Sequence, residues 1–179
     1  AAGNANGAVI LNNSLTGTHF TVSGLNLGTG DFTISVKIKM PTLTSKTDSS
    51  NYLFGIGNLK DAADGAFNLA FKKNGSYSQV RLRVNGGTQW ANYAPHGEWV
   101  EYTVVREGNK LTVYVSPGCN NKGVQSLTVK EFTLTSDSSI DFTNCNLGFS
   151  SNIGCQDAGD YPIYYDDIMV FDYALYPLN

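Results

Sequence analysis

The sequence predicts an all-β fold of two packed antiparallel sheets, and three observations carry that prediction. Apolar and polar residues alternate with period two in run after run, the signature of half-buried strands. Gly- and Asn-containing turns separate the runs, and no stretch keeps a helical period for more than two turns. Composition agrees. Of 179 residues, 41% are hydrophobic and only 15% charged, against roughly 25% charged in an average soluble domain. With four glutamates in the chain, long helices lack their usual surface residues. Ser, Thr, Asn and Gly must coat the surface, which suits an extracellular β-protein.

The elements follow in order. In DFTISVKIKM, Phe32, Ile34, Val36, Ile38 and Met40 share one face and Thr33, Ser35, Lys37 and Lys39 the other. The polar stretch 42–51 reads as a loop, and YLFGIGN as a buried strand whose glycines allow close approach of a backbone or ligand. AFNLAFKK and QVRLRVNGG form a hairpin around NGSYS, with Phe67, Leu69 and Phe71 facing Val80, Leu82 and Val84 inward. TQWANYAPHG reads as irregular chain. WVEYTVVREGNKLTVYVSPG is a second hairpin, turning at Gly108 and Asn109, which supply left-handed backbone. SLTVKEFTL, NCNLGFS and YYDDIMVF bring the total to about ten to twelve strands, a number that requires a sandwich or a barrel, with the sandwich favoured. After Asp172, YALYPL has room for a short helical turn, limited by Pro177. The length suits one domain over residues 1–179.

Charge removes some functions. The net charge is −3 and the twelve basic residues are scattered along the chain, so the expectation is that no cationic surface is available for nucleic acid or anionic lipid. No apolar run spans a bilayer, and the opening AAGNANGAVI lacks the features of a signal peptide. The chain reads as soluble, a mature form or an excised domain. Of the three cysteines, at most two pair internally. If SLTVKEFTL lies antiparallel between the strands before Cys119 and Cys155, these two loops share one end of the sandwich and Cys145 lies at the other. Cys119–Cys155 is then the accessible disulfide; the alternative is three reduced cysteines.

LNLGTGDFTISVKIKM, GEWVEYTVVREGNKLTVYVSPG, NLGFSS and YYDDIMVFDYAL, taken in this order over residues 25–175, resemble the laminin-G-like or concanavalin A-like jelly roll. The likeness is to its bacterial branch, attached to glycan-handling proteins. It implies a secreted or cell-surface protein with a glycan or polysaccharide as partner, in the company of other domains of a larger protein. It also implies Trp99 as a core residue.

The fold alone does not settle function, because it carries lectins, carbohydrate-binding modules, protein receptors and glucanases. Retaining glucanases need two carboxyl groups about 5 Å apart, supplied in this architecture by an E-x-D-x-E strand that the chain lacks. Glu98 and Glu101 fall on opposite strand faces. His19 and His96 are the only histidines, and no G-x-S-x-G appears. The expectation is a module that is not an enzyme, with no required cofactor. A protein-interaction domain using calcium at its rim loops is the alternative, and a hydrolase or lyase the third.

Sugar recognition needs an aromatic platform with polar groups beside it. Trp90 and Tyr93, with Gln89, Asn92 and His96, are one such concentration; the alternative is that both rings plug an end of the sandwich. Arg81 and Arg83 alternate outward beside Lys72 and Asn68. They form either a stripe that binds an acidic or polyhydroxylated glycan or a solvated sheet face. Tyr77, at a hairpin tip, is a further candidate contact. The resemblance suggests structural calcium near the acidic loops 61–64 and 156–160, with Asp157 and Asp160 as ligands. The alternative for both loops is an ordinary turn.

The adjacent Asp166 and Asp167 must point to opposite faces of a regular strand, one grouping with Tyr164, Ile168 and Val170 and the other with Tyr165, Met169 and Phe171. One of them then enters the core side and requires backbone donors or an ion. Asp166 is the candidate calcium ligand.

Overall fold

The computed structural model describes residues 8–12, 20–42, 51–56, 67–74, 77–84, 87–91, 95–117, 127–133, 141–149 and 162–177. They form twelve strands: β1 (Val9–Asn12), β2 (Phe20–Leu25), β3 (Phe32–Lys39), β4 (Asn51–Ile56), β5 (Phe67–Asn74), β6 (Tyr77–Val84), β7 (Gly87–Ala91), β8 (Trp99–Glu107), β9 (Lys110–Pro117), β10 (Leu127–Thr133), β11 (Cys145–Phe149) and β12 (Pro162–Phe171). The first sheet runs β1-β12-β3-β8-β9-β10 and the second β2-β11-β4-β5-β6-β7. Every pairing is antiparallel. No helix among the described residues is long and apolar enough to cross a membrane.

Alternation fills the space between the sheets. Phe32, Ile34, Val36 and Ile38 of β3 and Val100, Tyr102 and Val104 of β8 meet Phe67, Leu69 and Phe71 of β5 and Val80, Leu82 and Val84 of β6, all almost wholly buried. Burying such a side chain contributes roughly 1.5–3 kcal/mol. Phe142 corks one end, its ring edge-on to Phe32 and Phe67. Its backbone is held by two hydrogen bonds, Leu27 N–H to the Phe142 carbonyl and Phe142 N–H to the Gly28 carbonyl. Burial pulls the neighbouring Arg106 below its ordinary value, while Asp31 and Asp141 act the other way.

Bulges in β4 and β12 change which of their residues face the core. In β4, Tyr52 pairs with Ala70 and Phe54 with Leu69, so Leu53 is the extra residue and both Leu53 and Phe54 turn inward. Tyr52 is thereby left on the outer face. The second bulge lies in β12, between Asp166, opposite Lys37, and Met169, opposite Ser35. Ile163 and Tyr165 face the core before it and Ile168 and Val170 pack against the core after it.

This corrects the expected phase of β12, because neither aspartate enters the core side. Asp167 takes a left-handed φ of 44° and pairs with Lys37, while Asp166 Oδ1 accepts the Asp167 N–H at 2.9 Å.

Other expectations also change. Gly87–Ala91 is the edge strand β7 rather than irregular chain. Trp99 is half-buried and sits opposite Lys39 on the outer side of the first sheet, because Val100 and Tyr102 take the core positions; it is not a core residue. The segment after Asp172 is non-helical and crosses the first sheet. Thr33 Oγ1 donates to the Tyr173 carbonyl at 2.9 Å and accepts the Leu175 N–H at 2.7 Å, and Tyr176 reaches Glu107 and Tyr114. In the turn between β8 and β9, Gly108 alone is left-handed.

Cys119 and Cys155 lie outside the described residues. The premise for pairing them changes, since β10 pairs with β9 in the first sheet while β11 belongs to the second. Cys145 is a free, half-buried thiol whose pKa burial raises.

Candidate functional site

The outer face of the second sheet is built by register. Along β6, Val80, Leu82 and Val84 point into the core, so Arg81 and Arg83 point out. Arg81 sits between Ala70 of β5 and Trp90 of β7, and Arg83 between Asn68 and Thr88. The Arg83 row continues from Asn68 to Gly55 and Gly148. These two glycines contribute no side chain, so the row drops to backbone level beside Asn68.

Towards the β7 edge of this face, the Arg81 guanidinium lies 5.2 Å from the centroid of Tyr52 and 5.5 Å from that of Trp90. Its Nη2 donates to Asn68 Oδ1 at 3.3 Å. Arg81 is 9% exposed and Asn68 is fully buried, whereas Trp90 is 37% exposed. The indole is therefore braced by a cation–π contact, worth about 0.5–2 kcal/mol depending on desolvation, and still open to solvent. A braced, partly exposed indole can stack on a sugar ring without first losing side-chain freedom.

The predicted residues divide. Trp90, Arg81 and Arg83 share this face. Gln89 does not: it is paired with Leu82 on the opposite side of the edge strand, because adjacent strand residues point in opposite directions. His96 packs edge-on against the core ring Phe71, 6.1 Å between centroids. Tyr77 opens β6 opposite Asn74, the last pair before the two-residue turn between β5 and β6. Asn92, Tyr93, Asp157, Asp160 and the loop 61–64 lie outside the described residues. Among the described residues no group of three or more His, Cys, Asp or Glu is placed to hold a metal. Tyr52 escaped sequence reading because only the bulge at Leu53 turns it outward; an aromatic residue beginning a run of otherwise apolar residues was the available signal.

The comparisons agree with this architecture. A family model described as the concanavalin A-like lectin/glucanases superfamily, of laminin G type, matches residues 13–178, and the chain belongs to that family. No curated protein matches it. Among solved structures it is similar to the alginate lyase from Klebsiella pneumoniae, with TM-score 0.59, 12% identity, and 94% of this chain and 82% of that chain covered. It is also similar to the marine alginate lyase from Zobellia galactanivorans, with TM-score 0.51, 13% identity and coverage of 89% and 71%. A third structure, concerned with the cell entry of botulinum neurotoxin type C through two ganglioside molecules, gives TM-score 0.52 and 13% identity. There 94% of this chain covers 44% of that one. At these identities the likeness is one of fold.

One expectation is corrected by these neighbours. The chain was expected not to be an enzyme, because it lacks a carboxylate pair. That pair is a requirement of retaining hydrolysis, whereas alginate lyases share this fold and a lyase breaks its bond by elimination. Enzymatic activity is open, and the missing E-x-D-x-E strand does not decide it.

Proposed function

We propose that the outer face of the second sheet binds a glycan, with a sugar ring stacked on Trp90 and its polar substituents read by Arg81, Arg83 and Thr88. The observation that carries this reading is the bracing of a partly exposed indole by a buried arginine. A plug residue would be buried, whereas Trp90 is 37% exposed. Membership of a lectin and glucanase superfamily is in keeping with it. We place the domain in a secreted or surface-attached protein, with a rim calcium as an accessory that would act on the loops rather than on this face.

A glycan array probed with the wild-type chain and with Trp90→Ala, each with and without chelator, tests the reading. Binding to at least one glycan class that falls tenfold or more in Trp90→Ala supports it; undiminished binding by that variant to every glycan retained by the wild type defeats it. Loss with chelator would assign a role to calcium. Assay of the bound polysaccharide for new reducing or unsaturated ends then separates binding from cleavage.

A further inference from the structure

The charge distribution over the two sheets indicates what kind of glycan this face takes, an inference that rests on the glycan-binding reading above. The strands of the second sheet contain Lys72, Lys73, Arg81 and Arg83 and not one Asp or Glu. Yet the chain has fifteen acidic residues against twelve basic ones. The strands of the first sheet mix both signs, with Lys37 paired to Asp167 and with Glu101, Glu107 and Glu131 distributed along β8 and β10. An acidic protein has left one sheet without carboxylates.

Arg81 makes the point locally. A guanidinium on a side chain only 9% exposed is ordinarily paired with a carboxylate, because an unpaired buried charge costs several kcal/mol of desolvation, roughly. Among the described residues, Arg81 has the Asn68 amide oxygen and two aromatic faces. No carboxylate of the described residues is paired with it, and its Nε is buried without an acceptor among them. Rings and amide fix the guanidinium in place without neutralising it. Arg83, two residues on and facing the same way, adds a second cation in register with Asn68 and Thr88.

We infer that the ligand is an anionic glycan, one whose ring carries a carboxylate or sulfate that pairs with Arg81 and Arg83 while a neighbouring ring face lies on Trp90. The planar guanidinium matches both oxyanions through forked, charge-assisted hydrogen bonds.

Isothermal titration with three probes tests this: an oligouronate, the same oligosaccharide after carboxyl reduction, and a sulfated neutral-sugar oligosaccharide. The oligouronate or the sulfated probe should bind at least tenfold more tightly than the reduced one, with affinity falling as salt rises. Arg83→Gln should remove most of that preference and Arg83→Lys should keep part of it, with unchanged thermal midpoints as the control for folding. Preference for the uronate assigns a carboxylate, and preference for the sulfated probe assigns a sulfate. Equal binding of the reduced and charged probes, both lost in Trp90→Ala, would overturn the charge inference and leave the glycan-binding face standing. Binding of none of the three would overturn the charge inference, and an empty glycan array would overturn the reading beneath it.

Discussion

Arg81 stands directly across the β6–β7 ladder from Trp90, its guanidinium 5.5 Å from the indole centroid. An edge strand of five residues has little packing of its own, so this contact ties the tryptophan to the interior of the sheet. Arg81→Lys keeps the charge but loses the plane that lies against both rings. We expect it to destabilise the fold by about 0.5–2 kcal/mol and to weaken glycan affinity. Chemical denaturation and titration of the same variant check the two effects.

Across the sandwich, the Tyr165 hydroxyl donates to the Leu53 carbonyl at 2.8 Å, in the buried core. Leu53 is the extra residue of its bulge and has no register partner in β5 or β11, so this hydroxyl is a partner for its carbonyl. Tyr165→Phe leaves a buried acceptor without that bond and should cost about 1–3 kcal/mol. The denaturation midpoint should fall with the slope unchanged.

Gly97 lies before β8 with φ of 81°, and a Cβ there would meet Thr42 Oγ1 at 2.5 Å. Its N–H donates to the Met40 carbonyl at 2.9 Å, so the backbone has little freedom to shift. Gly97→Ala should lower stability by more than about 1 kcal/mol through the disallowed conformation. Truncating the neighbour, in Gly97→Ala with Thr42→Ala, should recover only the steric part. Thermal melts of the single and double variants measure the division.

The Tyr176 hydroxyl donates to Glu107 Oε2 at 2.6 Å. That bond, then partial burial and the Glu107 charge, push its pKa from 10.0 up to about 12. The folded value lies above the unfolded one, so the contribution is fully present below pH 10 and is lost as pH rises toward 12. Since the residue is exposed, the effect is small. Wild type should lose its stability advantage over Tyr176→Phe between these limits, which paired thermal melts across that range detect.

Much of this architecture is legible in the sequence because alternation reports burial directly. The faces of β3, β5, β6, β8 and β9 come straight from their period of two, and Arg81 and Arg83 come with them. What escapes is whatever breaks the period. The bulge at Leu53 hides Tyr52, and the bulge after Asp166 makes a two-face argument fail for a strand that is locally irregular. Residue type singles out Trp90, but not which neighbours share its face. A stretch read as irregular places Gln89 beside it, whereas a strand puts Gln89 on the far side and brings Arg81 across the ladder. Cross-strand neighbours are set by register, which a single sequence does not display.

The central claim is that Trp90 is the sugar platform, and the chain offers a direct measurement because it contains only two tryptophans. In an indole-region nitrogen–proton NMR titration with a glycan that calorimetry shows to bind, the Trp90 Nε1–H resonance should shift on saturation. That of Trp99, on the other sheet, should stay in place. Saturating binding that moves Trp99 alone, or neither resonance, would contradict the assignment of this face.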